Sequence, residues 1–148
     1  MFDQPGLHRQ APGMTYRQML EAVRYEGAYP TAERAEEAVH RVMTALGRQI
    51  TGDARVDLAG SLPVEAALPF TAQVPDAAPL TGWGFVKDLA ARNGNSPATA
   101  RWETGAVLAV VSRLAGPVLM DRVLDGLPEG WALLFGRAEL RRPQPAAA

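Results

Sequence analysis

The densest grouping of reactive side chains in this sequence is Glu36-Glu37-x-x-His40. On a helix Glu37 and His40 lie three residues apart and Glu36 one turn before His40, so the three share a face. Facing helices build di-metal centres from Glu-x-x-His pairs of this kind. Such a centre draws ligands from several helices, however, and the matching positions later in the chain are Gly105 and Leu108, which ligate nothing. The sequence therefore predicts a solvated, ion-paired face here rather than a metal site. No histidine stands where it would activate a serine or threonine as a nucleophile. Gly82-Trp83-Gly84 lacks the preceding strand and the following pattern of a dinucleotide-binding turn. Arg137, Arg141 and Arg142 make a small basic cluster, less than the stripe a duplex binder presents. The expectation is a chain with no catalytic, cofactor-binding or metal-ligating residues, not an enzyme.

Composition narrows the class further. A chain of 148 residues fits one domain, or two small halves packed intimately together. The formal net charge of -1 offers no field for a polyanion. There is no cysteine, hence no disulfide framework and no thiolate chemistry. The N-terminus has no apolar core of a signal peptide, and every apolar run is cut short of the roughly 20 residues a membrane span needs. These features predict a soluble cytoplasmic protein with no membrane association.

Residues 1–13 read as a disordered leader, with Met14 an alternative start, and residues 141–148 as a disordered tail. Thr15 caps a helix whose apolar stripe is Tyr16, Met19, Leu20 and Val23, ending near Gly27. Thr31 opens a second helix with Ala35, Ala38, Val39, Val42 and Leu46 on one stripe, closed by Gly47 as the residue past its end. A short helix from Ala54 stops at Gly60-Ser61, and Val64 to Leu68 forms another that Pro69-Phe70 closes. Residues 71–79 have linker composition. A helix with Trp83, Phe85, Val86 and Leu89 runs to Asn93-Gly94. Ser96-Pro97 then caps the long helix Pro97 to Ala115, apolar on more than one face, with Gly105 expected to admit a neighbouring backbone. Gly116-Pro117 breaks it. A further helix carries Val118, Leu119, Val123 and Leu124, and Leu127-Pro128 leads to Trp131 and Phe135.

The two halves repeat one pattern. Met19-Leu20…Val23 answers Phe85-Val86…Leu89, and Gly27…Pro30 answers Gly94…Pro97. Ala38-Val39 and Leu46 answer Ala106-Val107 and Leu114, and Leu62-Pro63…Phe70 answers Leu127-Pro128…Phe135, all at offsets of 65 to 68. The prediction is an all-α fold: two pseudo-symmetric repeats of about four helices each, residues 14–70 and 80–140, packed into one compact bundle. This tandem pattern resembles the bacterial domain of unknown function 2267, over Met14 to Phe135. The resemblance implies a fold and no catalytic residues.

In this register Glu37, His40 and Arg41 correspond to Gly105, Leu108 and Ala109, so one helix face is charged in the first half and apolar in the second. Either the second long helix is central, or its face meets another chain. Trp83, Trp102, Leu108 and Val111 are the candidate interaction face, aromatic residues being enriched at interface cores. The expected role is a protein-interaction or scaffold module, acting on an unidentified partner or by self-association. A binder of a small apolar ligand between the repeats is the first alternative and a weak nucleic-acid binder the second.

Overall fold

The computed structural model describes residues 13–137. Apart from Gly13, the expected leader lies outside these residues, as do residues 138–140 and the tail from Arg141. Among the described residues there are seven helices and no strand. They are α1 (Tyr16–Gly27), α2 (Ala32–Leu46), α3 (Gly52–Gly60), α4 (Val64–Thr71), α5 (Gly82–Asn93), α6 (Pro97–Asp125) and α7 (Trp131–Leu134). None is long and apolar enough to cross a membrane.

Side-chain caps set the starts. Thr15 and Gln18 form a reciprocal box, the Thr15 hydroxyl accepting from the Gln18 N–H at 3.1 Å and the Gln18 amide oxygen from the Thr15 N–H at 2.9 Å. Thr31, Thr81 and Ser96 cap α2, α5 and α6 by single bonds of the same kind. Pro97 stands in the first turn of α6, where its missing N–H costs nothing. Gly116, at φ 83° and ψ 162°, breaks α6 into two rods, as the Gly-Pro step predicts. Pro69 departs from expectation. It does not close α4 at Leu68 but lies inside the helix. It forfeits one backbone donor, while Ala72 N–H still reaches Leu68 O at 3.0 Å and Phe70 is drawn into the core with no exposed surface. Gly47 adopts right-handed rather than left-handed geometry, and a Cβ there would strike the Phe70 carbonyl.

Apolar stripes from α1, α2, α4, α5 and α6 meet in one core containing Met19, Val39, Met43, Leu46, Phe70, Phe85 and Met120. Trp131 closes one end, its ring 4.6 Å from that of Phe85 and 6.2 Å from that of Phe135. The first rod of α6 belongs to this interior, because α6 packs against α1, α2, α3, α5 and α7. Leu108 and Val111, expected on an interaction face, are completely buried in it. Gly105 admits no backbone either: the Arg101 guanidinium, a movable group, lies over it.

The stretch between α4 and α5 is fastened to both neighbours. Asp76 N–H donates to Arg48 O at 2.8 Å, and the buried amide of Gln49 donates to Asp76 and accepts from Leu80 N–H at 2.7 Å. The Trp131 indole N–H donates to Leu80 O at 2.8 Å. Gly82 meets Gly130 so closely that a Cβ would stand 2.6 Å from backbone. Arg55 gathers the other end. Its guanidinium donates to Gly47 O, Ile50 O, Phe70 O and Gln73 O and lies over the Phe70 ring. One side chain thus satisfies the carbonyl ends of α2 and α4.

Candidate interaction surface

The Ser96 cap fixes the rotation of α6, which turns Glu103 and Thr104 inward and Trp102 outward. The Trp102 indole N–H donates to Gly27 O at 2.8 Å, gripping the last residue of α1. The ring is nevertheless 59 % exposed. Tyr25, two residues before Gly27, is 85 % exposed. Arg113 of α6 pairs with Glu26 of α1 at 3.0 Å, a second tie between the two helices.

Beneath Trp102 lies a polar junction between the halves. The buried carboxylate of Glu103 accepts from Arg41 of α2 through two nitrogens, one of them Nε at 3.2 Å. This bond holds the Arg41 guanidinium above its ordinary range. The Tyr29 hydroxyl is buried here with no hydrogen-bond partner among the described residues. Burial, then the Glu103 charge, pushes it up to about 12, with Arg41 opposing. The carboxylate is thus committed to the guanidinium and the phenol keeps its proton. Chemically the trio is a fixed ionic tie between α2 and α6. A carboxylate in the inward register of an apolar helix demands a cation beside it; that is the signal in the sequence for Glu103, whereas residue spacing carries none for Tyr29 or Arg55.

The other singled-out residues are dispersed. Glu36, Glu37 and His40 are all exposed on α2; Glu36 accepts from the Tyr16 hydroxyl at 3.0 Å, and Glu37 lies 3.9 Å from Arg34. Among the described residues no three histidine, aspartate or glutamate side chains converge. Gly82-Trp83-Gly84 forms the first turn of α5 and follows a loop. Trp83 is 56 % exposed, with Lys87 Nζ 5.9 Å from its ring centre. Arg137 pairs with Asp121 at 2.9 Å, and Arg141 and Arg142 lie outside the described residues. Of the four expected face residues, then, two tryptophans are on the surface and Leu108 and Val111 are not.

Against known proteins, a family model described as Uncharacterized conserved protein (DUF2267) matches residues 16–134. The match runs from the first residue of α1 to the last of α7. No curated protein matches the chain.

Proposed function

Because the chain belongs to the DUF2267 family, whose description carries no activity, we propose from its geometry that it works by binding, as a helical protein-interaction module anchored by Trp102. The observation that carries this reading is the pinned indole. Trp102 exposes most of its ring yet has one polar atom bonded to Gly27 O. A large apolar surface held in one orientation has little rotamer freedom left to lose when a partner covers it. Tryptophan and tyrosine in such positions dominate binding energy. The Arg41–Glu103 tie below it locks α6, the helix that carries Trp102, against α2.

The test is capture from the native host with the full chain and with Trp102→Ala, followed by purification of whatever the parent alone retains. Titration of that protein should show saturable binding to the parent, weakened about tenfold or more by Trp102→Ala. Circular dichroism should show both chains equally helical. If parent and variant retain the same proteins in the same amounts, Trp102 is not the anchor and the reading fails.

A further inference from the structure

Two ridges elsewhere on the molecule complement each other. In α4, Ala66 and Phe70 face the core one turn apart, while Val64 and Leu68, also one turn apart, are 63 % and 60 % exposed. Glu65 lies between them in sequence and is exposed. Glu36 of α2 stands nearby: the Tyr16 hydroxyl donates to Glu36, and both Glu36 and Glu65 act on that phenol. Burial and these two carboxylates raise Tyr16 above its ordinary range. Among the described residues neither carboxylate is paired with a cation. The ridge is therefore aliphatic with uncompensated negative charge.

On α5 the pattern is inverted. Trp83 and Lys87 stand one turn apart and exposed, the ammonium near the indole face. Among the described residues Lys87 has no carboxylate partner, whereas its neighbour Asp88 is taken by Arg92 at 2.8 Å. This ridge is aromatic with uncompensated positive charge. Each ridge is about one helical turn long, and among the described residues neither is covered.

We propose that the chain associates with a second copy of itself, the α4 ridge of one copy docking on the α5 ridge of the other. The proposal rests on the reading that this protein works by association, but it uses a surface separate from Trp102. Leu68 and Val64 cover the Trp83 ring and Glu65 meets Lys87. Opposite charges set the register, while the apolar residues remove area from water. Made reciprocally the contact closes a twofold dimer; made head to tail it closes into a larger ring or extends with concentration.

Sedimentation and light scattering of the full chain test this. The mean mass should rise with protein concentration at low salt and rise less at high salt. Glu65→Lys alone and Lys87→Glu alone should each weaken association about tenfold or more, since each sets like charges against each other. An equimolar mixture of those two variants should recover the parental affinity, because each then offers the charge the other lacks. All the altered side chains are exposed, so melting temperatures should match the parent. A parent that stays monomeric at every concentration overturns self-association and leaves the Trp102 reading, tested by capture, intact. Association that ignores both charge reversals, or that the mixture fails to restore, overturns the two ridges.

Discussion

Helices α2 and α6 begin alike and end in different surroundings. Both follow a hydroxyl cap, and the offset that aligns Ala38-Val39 with Ala106-Val107 sets His40 against Leu108. His40 is in water; Leu108 is wholly buried. The cause lies in the neighbours. α2 is covered by α1, α4, α5 and α6, which leaves its Glu36–Glu37–His40 side open. α6 adds α3 and α7 to the helices around it, and its break at Gly116 lets the second rod pair back to α3 through Arg122 and Asp57 at 2.8 Å. An apolar second face therefore signals a central position here, and a charged second face a peripheral one.

The largest effect separates the two helices outright. Leu108→Glu buries an unpaired charge and should cost more than ~4 kcal/mol, unfolding the chain, while His40→Glu should stay within about 0.5 kcal/mol of the parent by urea denaturation. Equal midpoints for the two would break the comparison. Next is the end of α2, which relies on a side chain that α6 does not use. Arg55→Leu leaves the Gly47, Ile50 and Gln73 carbonyls without their side-chain donor, and Phe70 O with backbone N–H alone, and should cost about 3 kcal/mol, read the same way. Burial already holds Arg55 below its ordinary range. Mid-helix, Gly105→Ala should stabilise α6 by about 0.5–1 kcal/mol, because only the mobile Arg101 guanidinium has to yield. A destabilised variant would mean that α6 is packed more tightly there than a movable side chain implies.

The smallest effect belongs to the junction. Tyr29→Phe removes a hydroxyl that has no partner among the described residues and should leave stability unchanged or raise it by less than about 1 kcal/mol. Its signature is in alkali. Tyr29 holds its proton to about pH 12 in the folded chain against 10.0 for a free phenol. The folded state is then the better proton binder, so this contribution is complete below the lower value and fades as pH rises through the upper one. The melting temperature of Tyr29→Phe should therefore fall less steeply over that interval than the parent's. Identical slopes would remove Tyr29 from the account.

What the sequence made legible was local. Caps at Thr15, Thr31 and Ser96, the stripe on α2 and the break at Gly116 each follow from a few neighbouring residues. What stayed hidden depends on distant chain. The burial of Leu108 and Val111 requires knowing that α3 and α7 return to cover α6. Pro69 reads locally as a stop, and only the seating of Phe70 in the core carries the helix past it. Arg55 looks like an ordinary surface residue of a short helix until the ends of α2 and α4 are brought to it. Trp102 was legible as exposed aromatic surface; its anchorage on Gly27 was not.

The tie between Arg41 and Glu103 spans 62 positions of sequence. Removing Arg41 strands the Glu103 carboxylate in the interior, while exchanging both for apolar residues of similar volume is close to neutral. Drift at one position is thus harmful until the other follows. Among related chains the two positions should therefore change together or not at all.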